Sequence, residues 1–389
     1  MNTQSTPVHI SLWHRDFWLL VLTDLLLTVA VYLLIPVLPL WLMDSQHLSP
    51  EQTGWAMGAF GLGLYLLGAQ CSWLVQHYRR NVVCLWAMTA MAATLALLWY
   101  FDTHGTPFVP FWLLLLQRFL LGASFGLAQM ILSSTLIIDT CESFHRTEAN
   151  HHAAWFARFA LSLGPLAGLL VYSLFAFQGV VWTAVGCVAV SFLLVRAINF
   201  PFRAPEENIH VVSLDRFFLP HGFPLFANLL MVSTTVGLLL TLPLQPVFFA
   251  YMMGGFLLAL LAQRFVFHNA ELKSEVVSGL LLLIAAEGVL LVAPESSVAP
   301  VLVGLSTGIV GTRFLLFFIK LSRHCQRGTS QSTSFLGWES GLALGLALGY
   351  LLFYLQPEAL LYTALLLTVA ALLLYHCFTH AWFMRNKNR

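Results

Sequence analysis

Apolar runs of about 20 to 25 residues, separated by short polar connectors, recur along the whole 389-residue chain. That length suits a bilayer-spanning helix and exceeds a barrel strand. Divided at its connectors, the sequence predicts twelve spans, at roughly 17–42, 52–76, 81–101, 108–138, 152–175, 180–198, 222–244, 246–267, 275–294, 298–321, 332–355 and 359–383. Alternate connectors carry turn chemistry, as in Ser49-Pro50, His104-Gly105-Thr106-Pro107, Pro294-Glu295-Ser296 and Gln356-Pro357. The first run is too long for a signal-peptide core and lacks a cleavage site, so it is expected to remain as span one.

The longest polar stretch falls at the midpoint, from Asn199 to Gly222, and holds Arg203, Glu206, Glu207, Asp215 and Arg216. It divides the chain into a six-span bundle over 1–198, a linker over 199–221 and a second six-span bundle over 222–389. The halves echo each other. Span one ends in Leu34-Ile35-Pro36-Val37-Leu38-Pro39, and span seven ends in Thr241-Leu242-Pro243-Leu244-Gln245-Pro246. Each half thus opens with a helix broken near its far end by a P-x-x-P pair. Parallel repeats of this kind are a transporter architecture.

Composition strengthens the membrane reading. The chain is 59% hydrophobic and 9% charged, with mean hydropathy +0.81, against about 25% charge in a soluble domain. Charge placement then sets the topology. Of the 18 Lys and Arg residues, all but Arg118, Arg158 and Arg313 fall in alternate connectors or at the ends. By the positive-inside rule both termini are cytoplasmic, in a multi-pass protein of the plasma (inner) membrane. The six cysteines fall in spans or basic connectors, so no disulfide is expected. No Cys/His spacing matches a metal site, and His151-His152 reads as a polar-loop pair. No nucleotide-binding sequence is present, so no cofactor is expected and coupling should be to an ion gradient, most simply protons. Nothing points to nucleic acid.

Span four carries Arg118-Phe119-Leu120-Leu121-Gly122-Ala123-Ser124-Phe125-Gly126, an R-x-x-x-G-x-x-x-G pattern. Span five carries Gly164-Pro165-Leu166-Ala167-Gly168, and Leu48-Ser49-Pro50-Glu51-Gln52-Thr53-Gly54 leads into span two. In these stretches the sequence resembles the major facilitator superfamily, and the G-P-x-x-G segment is similar to its drug/proton antiporter branch. The resemblance implies an all-α polytopic membrane protein of the major facilitator fold, with twelve transmembrane helices in two six-helix pseudo-repeats that rock about a central site. One stretch departs from the family. Where it places G-x-x-x-D-R-x-G-R-R/K between spans two and three, this chain has Ser72-Trp73-Leu74-Val75-Gln76-His77-Tyr78-Arg79-Arg80. The basic pair Arg79-Arg80 is kept, but Gln76 replaces the acid. The inner latch is therefore expected to be weaker or built differently.

A charge in hydrocarbon needs a partner or water. The resemblance sets spans one and four side by side, so Asp24, about 10 Å into span one, is the expected partner of Arg118. Direct contact is not assured, because Asp24 is measured from the inner end and Arg118 lies nearer the outer end. Glu339 on span eleven is expected to face Arg313 on span ten. These four are the candidate proton-coupling residues, against the alternative that they are static pairs serving packing. Glu287 on span nine is expected to pack at the periphery, and Arg158 to lie near the inner end of span five. Asn228, Trp338, Phe335 and Gln117 are the candidate substrate-cavity residues. An acid flanked by Phe335 and Trp338 would suit an amphiphilic or cationic organic solute.

Glycines repeat along span two (Gly54, Gly58, Gly61, Gly63, Gly68) and every fourth residue along span eleven (Gly337, Gly341, Gly345, Gly349). Such stripes permit close backbone approach, whether for rocking or for static packing. The expected function is secondary active transport of a small lipophilic or amphiphilic solute by proton-coupled efflux, by a monomer acting on protons and a small-molecule substrate in the lipid bilayer. Proton-coupled uptake is the alternative. An enzyme would need a catalytic cluster at one face, and Asp139, Glu142, His145 and Glu148 show no catalytic spacing. A receptor or scaffold would be expected to carry soluble extensions, of which there is almost none.

Overall fold

The structure, a computed structural model, describes residues 11–104, 109–142, 145–200, 210–267 and 270–388. The turn at 105–107 and the linker charges Arg203, Glu206 and Glu207 lie outside them. Among the described residues the fold is all-helical, without a strand. Eleven helices are long and apolar enough to cross a membrane. They are Arg15–Ser45, Pro50–His77, Arg80–His104, Phe111–Asp139, Arg146–Arg196, Pro220–Leu239, Pro246–Phe265, Leu272–Val292, Val298–Leu321, Arg327–Leu352 and Pro357–Asn386. The fifth has 51 residues. Straight, it would run about 75 Å, far more than a hydrocarbon core of about 30 Å. It folds back at Ala176 (φ 52°, ψ −162°), so residues 146–175 and 177–196 are spans five and six. Twelve crossings result among the described residues, so the start of span one and the end of span twelve lie on one face. His151 and His152, expected in a loop, sit in the second turn of span five.

Span one is where sequence dictates shape most directly. Proline at 36 has no N–H to give the carbonyl of residue 32, and its ring crowds that turn. The helix is interrupted at Leu33, between Arg15–Tyr32 and Leu34–Leu40. Span five meets this break with its G-P-x-x-G segment. A Cβ on Gly164 would stand 2.6 Å from the Tyr32 Cβ, and one on Gly168 2.3 Å from the Leu33 carbonyl oxygen. The motif therefore closes spans one and five tightly around the broken turn. Its neighbour Tyr32 is held facing the middle of the molecule.

The span-four motif works the same way against span two. A Cβ on Gly122 would fall 2.1 Å from the carbonyl oxygen of Phe60, and one on Gly126 2.9 Å from that of Leu64. The two glycine stripes have different jobs. Gly341 and Gly345 of span eleven press on Ser233 and Thr234 of span seven, within the second half of the chain. Gly54, Gly58 and Gly61 of span two meet Leu351, Ala347 and Ala343 of span eleven, across the two halves. Spans five and eight form another contact across the halves, where Trp155 packs edge-on against Phe256 at 5.1 Å.

On the face that bears the termini, the linker ties spans two and eleven together. Asp215 accepts from Ser72 Oγ of span two at 3.1 Å and from Thr329 Oγ1 of span eleven at 3.0 Å. The backbone N–H of Arg216 donates to the Thr329 hydroxyl at 2.8 Å, and that of Leu219 to Thr333 at 2.9 Å. Ser213 N–H donates to the Ala69 carbonyl at 2.9 Å, where span two loses its regular helix. Gln76 lies in the last turn of span two, with the exposed Arg79 just beyond it. Arg80 pairs with Asp139, at the end of span four. Two acids thus make contacts near this end of span two, Asp139 with Arg80 and Asp215 with Ser72 and Thr329.

Candidate functional site

Three cavities lie in series along spans one and eleven. The central one, about 60 Å³, is bounded by Asp24, Thr28 and Tyr32 of span one, Gln129 and Ser133 of span four, Arg158 of span five, and Gln331, Phe335, Trp338 and Glu339 of span eleven. A second, about 20 Å³, shares Tyr32 and Glu339 and adds Ile35, Arg118 and Leu346. The third, about 400 Å³, sits at the face away from the termini and is lined by Pro36, Leu40, Pro243, Phe249, Tyr350 and others, mostly apolar. The register along both helices is continuous, from 24 to 40 on span one and from 331 to 350 on span eleven. The polar centre has room for about two waters, so an organic solute enters only when the surrounding spans separate.

Tyr32 and Glu339 join the two halves at this centre. The tyrosine hydroxyl donates to Glu339 Oε1 at 2.6 Å, and both residues are buried. Beside them, Arg158 lies with its guanidinium carbon 4.0 Å from the centroid of the Trp338 ring. Its other flank is the bare backbone of Gly311 on span ten, where a Cβ would come within 2.6 Å of the same carbon. The guanidinium is thus confined beside both the indole and the glycine. Its Nε and Nη1 are buried and make no hydrogen bond to the protein. Asp24 is likewise buried, next to Gln129, whose amide donates to Thr28 Oγ1 at 3.0 Å.

Several expected arrangements are corrected here. Arg118 does not pair with Asp24. It lies over the Phe60 ring at 5.1 Å, with Nε and Nη1 lacking partners, and reaches the second cavity while Asp24 lines the first. The two are displaced along the membrane normal because Arg118 enters from the opposite end of its helix. Arg313 does not meet Glu339 either. Glu275 of span nine takes it in a buried ion pair, and Arg158, expected nearer the inner end, holds the place beside Glu339. Gln117 faces span three, donating to the Thr94 carbonyl at 2.9 Å. Asn228 faces span twelve, donating to the Ala371 carbonyl at 3.0 Å. Neither lines a cavity described above. Trp338 and Phe335 do line the central one. Glu287 is fully buried and accepts from Thr368 at 2.8 Å, so it packs against protein and not lipid.

Sequence reasoning overlooked Tyr32, Gln129 and the clamp on Arg158. The available signals were a tyrosine one turn before Pro36 and a glutamine in an otherwise apolar segment of span four. Chemically, the site sets two carboxylates, Asp24 and Glu339, among two guanidiniums, Arg118 and Arg158. With all four ionised the charges cancel. Adding one proton leaves a net charge of about +1 in a poorly hydrated space, where it is costly without a counter-ion.

Comparison with known proteins places this geometry in a family context. Residues 20–211 match the profile of the Major Facilitator Superfamily. No match was found among curated protein sequences. The fold is similar to that of the human organic anion transporter MFSD10 (TETRAN), with TM-score 0.69 and 16% identity over 92% of this chain and 98% of that one. It is similar to a bacterial homologue of the iron transporter ferroportin in an outward-facing state, with TM-score 0.64 and 16% identity over 95% and 99%. It is also similar to the POT family transporter PepTSo, with TM-score 0.69 and 11% identity over 96% and 99%. Residues 20–211 thus match that family, and the chain has the fold of these transporters. At such identities the likeness concerns fold alone, and the cargoes named for the first two differ.

Proposed function

We propose that the protein is a secondary active transporter that moves a small organic solute by alternating access and couples it to protons through the central carboxylates. The observation that carries this reading is the Tyr32–Glu339 hydrogen bond, which spans the two halves at a small cavity that also holds Asp24 and Arg158. A titrating group there is wired to the relative position of the halves, because protonating the carboxylate weakens the bond that joins them. Residues 1–198 and 222–389 would rock as two bundles about this point, with 199–221 as linker. We place both termini in the cytoplasm, by the distribution of Lys and Arg, and take the protein as a monomer of the plasma membrane. The linker contacts then close the cytoplasmic side, and the apolar cavity lies on the outer side.

The direction of coupling turns on the charge of the solute. A cation competes with protons for Glu339 and would be exchanged for them. An anion would be carried together with a proton. The G-P-x-x-G segment of span five favours the first, export by exchange, as in the antiporter branch it resembles. The two guanidiniums with unsatisfied N–H groups favour the second.

The test is pH-driven flux in proteoliposomes holding a pH-sensitive dye, across panels of organic anions, cations and neutral compounds. Glu339→Gln is expected to abolish gradient-driven movement while leaving exchange of labelled solute. Wild-type gradient-driven flux in both Glu339→Gln and Asp24→Asn would make the coupling assignment wrong. Absence of flux for every compound would favour a non-transporting scaffold.

A further inference from the structure

We propose that the solute is an organic anion, whose carboxylate or similar oxyanion docks on the guanidinium of Arg158 when Glu339 carries the coupled proton. This rests on the proton-coupled reading above and assigns its substrate class.

Arg158 has the form of a prepared receptor. Its guanidinium carbon lies 4.0 Å from the centroid of the Trp338 ring, and the bare backbone of Gly311 packs so close that a Cβ there would strike the guanidinium, so the group is confined between the two. Its buried Nε and Nη1 find no acceptor on the protein. Unsatisfied charged donors in a buried site are costly, so an arrangement that holds them open points to a partner that comes and goes. Planar guanidiniums match carboxylates and related oxyanions in shape as well as charge. Arg118, on the far side of the Tyr32–Glu339 pair, also has Nε and Nη1 open. An anion leaving Arg158 toward the outer cavity would meet it next.

The acids do not fill this role themselves. Glu339 is engaged by Tyr32. Asp24 lines the same cavity from span one. The remaining groups near Glu339 are accounted for. Arg313 on span ten is taken by Glu275. Tyr65 of span two bonds Ser340 at 2.8 Å. Span seven, Phe223–Leu239, contains no titratable residue. The balance at the site is therefore two carboxylates against Arg118 and Arg158. Protonating Glu339 leaves one positive charge in excess, and an entering anion restores neutrality. Anion and proton then promote each other's binding by the same factor, the thermodynamic signature of co-transport. The apolar walls of the outer cavity, from Leu40, Phe249 and Tyr350, fit a solute whose remainder is aliphatic or aromatic.

Binding alone tests this, with the purified full chain. The probes are benzoate, indole-3-acetate and octanoate, each beside its amide and the amine of the same skeleton. The readouts are the thermal unfolding midpoint and the pH of a lightly buffered solution. At least one carboxylate is expected to raise the midpoint while its amide and amine do not, with uptake of up to about one proton per anion bound. Arg158→Gln should remove the shift, Arg158→Lys should weaken binding about ten-fold, and Glu339→Gln should bind the anion without taking up a proton. If Arg158→Gln does not fold, Gly311→Ala carries the same expectation, because it drives the guanidinium off Trp338. Stabilisation by an amine with proton release, silence from all three carboxylates, or undiminished binding in the Arg158 variants would overturn the proposal. Anion binding without gradient-driven flux would overturn the transport reading and leave this assignment standing. Gradient-driven flux confined to cations would do the reverse.

Discussion

The hydroxyl of Tyr32 and the carboxylate of Glu339 stand 2.6 Å apart, one on span one and the other on span eleven. Pro36 breaks span one directly beyond Tyr32, and the glycines of span five hold the broken turn in place. The donor is thus aimed by backbone geometry. Hydrogen bonds to charged groups contribute about 1.5 to 3 kcal/mol, enough to shift a two-state equilibrium by about ten-fold or more. Tyr32→Phe is expected to depopulate this closed arrangement. A cysteine placed at Leu346, buried between the central and outer cavities, should then react with maleimide about ten times faster. An unchanged rate would mean that the bond does not hold the halves.

The linker contacts make a separate prediction. Asp215 accepts hydroxyl hydrogen bonds from spans two and eleven at once, so Asp215→Ala removes both. Cys71, fully buried beside Ser72, reports on opening at that face. With the other cysteines replaced, its labelling should accelerate in Asp215→Ala, and less so in Ser72→Ala, which cuts one bond only. Equal labelling in wild type and Asp215→Ala would show that these bonds contribute nothing to closure.

These two cases mark what the sequence made legible. Span positions followed from apolar run length, because a bilayer imposes one helix length on all crossings. The glycine motifs gave close-packed helix pairs, because only glycine tolerates a carbonyl at 2.1 Å from its missing Cβ. The Gln76 departure raised the question of another latch, but Asp215 lies in a polar linker where an acid is unremarked. Partner choice was the hardest to read. Arg313 sits one helix away from both Glu339 and Glu275, and its pairing depends on helix rotation, which run length does not encode. Arg158 was read as near the inner end for the same reason. Its Gly311 slot is on another helix and its stacking partner on a third.

The Glu275–Arg313 pair should behave unlike Glu339. Both partners are largely buried, and each is the other's ion-pair partner. Removing one leaves an uncompensated charge, at a cost of about 3 to 5 kcal/mol. Arg313→Gln alone should lower the unfolding midpoint sharply, and the double variant Glu275→Gln with Arg313→Gln should recover most of the loss. Gradient-driven flux in the double variant should stay near wild type, since neither residue lines the central cavity. Loss of coupling there would move the proton site to this pair.

The span-two contact with span four offers a test of the fold itself. At Gly122 an added methyl would lie 2.1 Å from the Phe60 carbonyl oxygen and 3.0 Å from its carbon. Backbone, unlike a side-chain tip, cannot turn aside, so the two helices must part. Overpacking of this kind typically costs about 1 to 3 kcal/mol. Gly186, on span six, has nothing within 4 Å of its missing Cβ, and alanine there also improves helix propensity by about 0.8 to 1 kcal/mol. Gly122→Ala should therefore unfold at a lower temperature than wild type, and Gly186→Ala at the same or a higher one, when both are measured in the same detergent. Because Gly122 lies one turn beyond Arg118, the displaced helix also carries that guanidinium away from Phe60. A Gly122→Ala protein as stable as wild type would mean that spans two and four are not packed backbone to backbone.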